Sequence, residues 1–163
     1  MNDIYNRKVL AYFKKPKYYG KIQRPDGLGK VGNLVCGDVM WLYIKVGQRK
    51  DKLGKNEEYI KEAKFETFGC VAAIASSNAV CQIVRGKSIA EALKLTKGEV
   101  INDLGNLPPV KIHCSVLAID ALREAVYNYL KKNKKIIPPE LKKQHQLIEK
   151  NQKLLQKRYK ELF

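Results

Sequence analysis

The chain has 163 residues and a mass of 18.6 kDa, enough for one domain, or for one domain with a helical appendage. Hydrophobic residues make up 45% and charged residues 29%, which excludes a disordered, collagen-like or disulfide-scaffold chain. No stretch approaches the roughly 20 uninterrupted apolar residues of a membrane span, and residues 1–20 lack the apolar block of a secretory signal, so a cytoplasmic protein without membrane contact is expected. The formal net charge of +16 would suit a nucleic-acid binder, but its distribution argues otherwise. Residues 131–163 carry 11 Lys and Arg against 3 acids, whereas residues 65–130 carry 6 against 6. The excess sits in the ends and in the 45–64 region and reads as a solvated face, leaving nucleic acid disfavoured.

Taken in order, Ile4, Val9, Leu10, Tyr12 and Phe13 predict a short first helix closed by Pro16. A Gly- and Lys-rich segment follows through Gly32 and is expected to be mobile at its start. Residues 39–46 and 63–68 read as strands by β-branched content and alternation, with a charged hairpin loop over 47–59 between them. Residues 71–84, rich in Ala, Val and Ile, predict a largely buried helix. Ser88 with Glu91 three residues later marks the start of a helix of about two turns through Leu95, and residues 99–104 add another turn or two. With two prolines, residues 107–111 cannot be helical and are expected to form an extended, proline-stiffened peptide. Residues 114–132 form the next helix, with Leu117, Leu122, Ala125, Val126, Tyr129 and Leu130 inward. Strands followed by helices predict an α+β fold, a small antiparallel sheet of about three strands packed against helices.

Four cysteines in a chain of this kind point to metal or thiol chemistry before disulfides. Cys36, Cys70 and Cys114 fall at breaks in periodicity. Cys81 lies within the buried helix, about 16 Å along it from Cys70 at ~1.5 Å per residue, and reads as core. Cys70 and Cys114 each open a helix, where free N–H groups favour a thiolate, so both are expected to deprotonate more easily than an ordinary cysteine. Asp38 and His113 stand beside two of the thiols. Three thiolates with Asp or His satisfy either a tetrahedral Zn²⁺ or a two-iron, two-sulfur cluster. The wide separation of the cysteines fits no zinc finger, and spacing alone does not choose between a metal site, an isolated reactive thiol and inert cysteines.

Three segments, Gly29-Lys30-Val31-Gly32-Asn33-Leu34-Val35-Cys36-Gly37-Asp38-Val39-Met40, Lys64-Phe65-Glu66-Thr67-Phe68-Gly69-Cys70 with Ala73-Ile74-Ala75-Ser76-Ser77, and Leu107-Pro108-Pro109-Val110-Lys111-Ile112-His113-Cys114-Ser115, closely resemble the IscU and NifU N-terminal family of iron–sulfur cluster assembly scaffolds. The resemblance runs from about Ile4 to Tyr129. It implies an IscU/SufE-like fold and a scaffold or carrier rather than an enzyme, on which Cys36, Asp38, Cys70, His113 and Cys114 hold a transient 2Fe-2S cluster or, in the isolated protein, Zn²⁺. It further implies a cysteine desulfurase as sulfur donor with Cys114 as persulfide acceptor and Lys111 near the anionic sulfur. A ferredoxin or frataxin-like donor, acceptor apoproteins and a homo-oligomer belong to the same pattern. Leu107, Pro108, Pro109, Val110 and Lys111 resemble the segment gripped by an Hsp70-type chaperone. A SufU-like zinc-dependent sulfurtransferase accepting persulfide on Cys114 is the alternative, weakened by the absence of that branch's insertion between the second and third cysteines. Departures from the family are Leu34-Val35 before Cys36, Val71-Ala72 after Cys70, Ile119, and a longer 47–60 segment.

The scaffold domain is expected to occupy residues 1–135 and a basic amphipathic helix residues 136–163. Pro138-Pro139-Glu140 opens that helix. Leu141, Ile148, Leu155 and Leu162 recur every seven residues with Leu147 and Leu154 beside them, a stripe suited to packing on the scaffold or to self-association.

Overall fold

The computed structural model describes residues 4–33 and 36–162, the side chains of Tyr159, Glu161 and Leu162 excepted. The Leu34-Val35 departure therefore lies outside the described residues, as does the side chain of Leu162 in the heptad stripe. Helix α1 (Arg7–Lys14) begins at Asn6, whose side chain accepts from the Val9 amide, and buries Val9. The Gly- and Lys-rich segment, expected to be mobile at its start, ends in a strand, β1 (Gly27–Gly32). β-branched content is low here because a helix lies almost on the backbone. A Cβ on Gly29 would stand 2.0 Å from the Ala121 carbonyl oxygen and one on Gly27 2.2 Å from that of Ala125. These glycines serve close packing within a strand.

Strands β2 (Val39–Lys50) and β3 (Asn56–Phe68) complete an antiparallel sheet in the order β1-β2-β3. The charged 47–59 segment expected as a loop is mostly ladder, with Gly47 opposite Tyr59 and Arg49 opposite Glu57, leaving a turn around residues 51–55. Opposite charges across solvent-facing pairs support such pairing, and Asp51 Oδ1 closes the turn by accepting from the Leu53 and Lys55 amides at 2.8 and 2.9 Å. One sheet face, carrying Val31, Met40, Leu42, Ile44, Ala63 and Phe65, is buried. Against it pack α2 (Val71–Val84) and α5 (Ile112–Lys132), which also pack on each other. Cys81 is fully buried in this core, where desolvation pushes its thiol well up.

Ser88 caps the short α3 (Ile89–Ala92) by accepting from the Glu91 amide, but the helix stops after one turn, short of the two expected. A reciprocal Thr96–Glu99 capping box then starts α4 (Lys97–Leu104). Residues 109–111 form a 3-10 turn rather than an extended peptide, with Leu107 buried and Val110 exposed. Proline at the first position of a helical turn loses no hydrogen bond, so the prolines exclude only a regular α-helix. All six inward positions expected on α5 are buried.

Helix α6 (Pro139–Leu162) folds back on the body, touching α5 and β1. Leu141 and Ile148 are buried, while Leu147 and Leu154 stand in solvent. His145 stacks on Tyr127 of α5, rings 3.7 Å apart and nearly parallel, and its Nδ1 meets the buried Glu124 carboxylate at 2.8 Å. Among the described residues no helix is long and apolar enough to cross a membrane.

Candidate metal centre

Three chain segments converge at one end of the sheet. The first is the turn after β1. The Asn33 amide donates to the Asp38 carbonyl at 2.8 Å, the Gly37 amide to the Asn33 carbonyl at 3.0 Å, and the Cys36 amide to Asn33 Oδ1 at 3.1 Å. Gly37 has φ +75°, a left-handed conformation that favours glycine, and it turns the chain so that Asp38 leads into β2. Asp38 lies against Gly69, where a Cβ would stand 3.2 Å from the Asp38 Cγ and 2.8 Å from the Ala73 Cβ. Bare backbone at Gly69 thus leaves room for the carboxylate.

The second and third segments are helix starts. Cys70 occupies the N-cap of α2 with extended backbone, and Cys114 lies in the first turn of α5 with no exposed surface. Their sulfurs are 3.7 Å apart, and His113 Nε2 is 3.6 Å from the Cys114 sulfur. Ligand atoms of Asp38, Cys70 and Cys114 all lie within 4.8 Å of one another. That spacing lets a single ion touch all three. Cys36 sits exposed at the rim, near enough for Asp38 and Cys70 to act on its thiol. Asp38, Cys70 and Cys114 are thus the inner group, with Cys36 and His113 at its edge.

The electrostatics single out the same place. Asp38 Oδ2 is buried with no hydrogen-bond partner, a costly state for an acceptor and one that a bound cation would relieve. A hydrogen bond from Cys114 lowers the Cys70 thiol from 9.0 to about 6 against the opposing effect of burial, and the Ala73 amide at the start of α2 contributes in the same direction. Cys114 moves the other way, held protonated by that hydrogen bond and by burial. The expectation that both thiols acidify is therefore corrected: two sulfurs this close keep one proton between them. Partial desolvation by the neighbouring site, with the Asp38 charge acting the same way, raises the thiol of the otherwise exposed Cys36. Lys111 is held in its charged form chiefly by Cys70, which places its ammonium beside the thiolate.

Two contributors went unread in the sequence. Asn33 organises the Cys36 turn, and its Asn-x-x-Cys spacing is a readable side-chain-capped turn. Tyr5 lies close enough to Cys70, Lys111 and Cys114 for their charges to act on its phenol, which burial raises first. No local signal in the sequence brings it there.

A small α+β domain with a cysteine- and aspartate-lined cluster between two helix starts is the class defined by this fold and site. Residues 4–136 match the NifU-like N terminal domain, and the chain belongs to that family. It is 48% identical over 133 residues to the protein named iron-sulfur cluster assembly scaffold protein IscU 1 of Archaeoglobus fulgidus, covering 82% of this chain and 81% of that one. It is 40% identical over 136 residues to the IscU scaffold protein of Aquifex aeolicus, covering 83% and 82%. Among solved structures, a putative iron-sulfur cluster assembly scaffold protein for the SUF system from Fervidobacterium islandicum aligns with TM-score 0.57 at 26% identity, over 76% of this chain and 96% of that one. The N-terminal NifU-like protein of Brucella abortus aligns with TM-score 0.61 at 19% identity over 80% and 97%, a likeness of fold.

Proposed function

We propose that this protein is an iron–sulfur cluster assembly scaffold, which builds a labile 2Fe-2S cluster from iron and desulfurase-derived sulfur and passes it to acceptor apoproteins. The observation that carries the reading is the convergence of Asp38, Cys70 and Cys114 within 4.8 Å around an unpartnered buried carboxylate oxygen. Cys36 and His113 complete the donor set from the rim. Cys70, already a thiolate near neutral pH, is the first anchor for incoming iron. Asp38 is a harder ligand than sulfur and makes the hold looser, as a cargo carrier requires.

Sulfur arrives as a persulfide on a cysteine desulfurase, and Cys114 is the acceptor. Because one proton is shared over 3.7 Å, its transfer to Cys70 frees the Cys114 thiolate. The new S–S bond forms at Cys114 as the donor's S–S bond breaks and the donor cysteine leaves as thiolate. Lys111 steadies the anionic sulfur. Residues 107–111 are the site for an Hsp70-type chaperone. A groove that takes extended peptide must first unwind the 3-10 turn and withdraw Leu107 from the core, which couples gripping to opening of the adjacent Cys114 helix start. A compartment that keeps thiols reduced, such as the cytoplasm, suits this chemistry.

Anaerobic reconstitution with iron, a cysteine desulfurase and cysteine tests the reading, beside Cys36→Ser, Cys70→Ser and Cys114→Ser. Cluster absorbance that passes to an apo-ferredoxin and is lost in the variants is the expected outcome. Stoichiometric Zn²⁺, persulfide on Cys114 and no cluster would replace it with a zinc-dependent sulfurtransferase.

A further inference from the structure

The family match ends at residue 136, and α6 lies beyond it. The helix does not simply dangle from the body. Its first half is anchored by buried Leu141 and Ile148 and by His145, stacked on Tyr127 and paired with Glu124. The second half then runs along the free edge of β1. Edge strands present unpaired backbone groups that need covering. Here Asn128 of α5 donates to the Leu28 carbonyl at 2.7 Å, and Gln152 of α6 donates to the Lys30 carbonyl. Leu155 reaches Gly32, where a Cβ would stand 3.1 Å from the Leu155 Cδ2. Together Gln152, Leu155 and Gln156 wall a cleft of about 490 Å³ against Lys30, Val31, Gly32, Val39 and Trp41.

That contact falls at the start of the Cys36 turn. Gly32 is the last residue of β1, Asn33 makes the hydrogen bonds that close the turn, and Val39, the first residue of β2, forms the opposite wall of the cleft. The Gly32 end of the turn therefore lies against α6, and the Val39 end faces it across the cleft. We infer that α6 is a brace on the Cys36 turn, in which Gln152 and Leu155 are positioning residues that hold Cys36 at the rim of the metal centre and slow the loss of bound metal. The two residues act through the backbone at Lys30 and Gly32. Undocking the second half of the helix leaves the buried body intact but exposes the β1 edge and lets the turn open more often, since local opening tracks the contacts that oppose it.

The consequence for metal retention rests on the scaffold reading, whereas the brace itself does not, so the experiment has two arms on the full chain. In the first, residue-resolved amide hydrogen exchange is measured on metal-free wild type, Gln152→Ala and Leu155→Glu, with Ile148→Glu/Leu155→Glu as the variant that undocks α6 even if the single changes leave it protected. Exchange at Asn33, Cys36 and Gly37 is expected to rise about fivefold or more while α2 stays unchanged. Unchanged exchange at those amides in a variant whose α6 amides have lost protection overturns the brace. In the second arm the same proteins are loaded with Zn²⁺ and challenged with a chelator. Release is expected to quicken severalfold in Leu155→Glu, and the difference is expected to vanish in the Cys36→Ser background. Faster exchange with Zn²⁺ release unchanged overturns the positioning role. Failure of the wild-type chain to bind Zn²⁺ or iron counts against the scaffold reading instead, and the exchange arm still decides the brace.

Discussion

Replacing Cys114 by Ala removes the donor that keeps Cys70 ionised, and the size of the effect follows from the pair's geometry. The Cys114 sulfur lies 3.7 Å from Cys70 and is the largest cause of the fall in the Cys70 thiol from 9.0 to about 6. A hydrogen bond to a charged group is worth about 1.5–3 kcal/mol. At about 1.4 kcal/mol per pH unit this returns Cys70 upward by about one to two units, the Ala73 amide and Lys111 continuing to lower it in the variant. The assay is the pH dependence of iodoacetamide labelling at Cys70 in metal-free protein, read by mass spectrometry. Wild type should reach half-maximal rate near pH 6 and Cys114→Ala between about 7 and 8, with Cys114→Ser intermediate because it retains a donor. The pair also shapes stability. Between pH 6 and 9 the unfolded chain binds one proton more than the folded pair, so metal-free stability rises with pH across that window. Above 9 the unfolded chain loses the proton that folded Cys114 retains, and stability falls again. In Cys114→Ala the rising arm should be smaller. Identical labelling midpoints in wild type and variant, or a wild-type midpoint near 9, would refute the shared proton.

Gly29→Ala should destabilise the fold by about 3 kcal/mol or more in denaturant titration, because its Cβ would overlap the Ala121 carbonyl oxygen at 2.0 Å and neither backbone can yield cheaply. Asp38→Ala tests the proposed role of its oxygen in loosening the site; slower transfer of a reconstituted cluster to an apo-ferredoxin is expected, and unchanged or faster transfer would show that Asp38 does not set release. His145→Ala leaves the buried Glu124 carboxylate without its partner and strips the Tyr127 stack. A loss of about 3 kcal/mol is expected in chemical unfolding, with earlier melting of α6 by amide exchange and a smaller loss in Glu124→Gln.

Where the sequence could be read, it was because the signal was local. The apolar run of α2, the Ser88 start and the inward face of α5 each depend on residues within a few positions of one another. The site residues were likewise legible as types and positions, since Cys70 and Cys114 stand at helix starts in either description. What failed locally was overridden from afar. Residues 27–32 lack strand composition because α5 presses on them, and the charged 47–59 ladder is held by cross-strand partners. Leu147 and Leu155 look equally apolar in the chain, yet the fold leaves the first in solvent and seats the second against Gly32.

By itself the sequence determined the α+β class and a basic helix beyond the family's domain, and it marked three cysteines, an aspartate and a histidine as candidate ligands. Only the tertiary structure decided how those residues share their charge. Cys70 and Cys114 are 44 positions apart in the chain but 3.7 Å apart in space, so the same helix-start environment that would acidify either thiol alone gives one thiolate and one held proton. Electrostatic coupling depends on distance through space, and sequence separation carries no record of it.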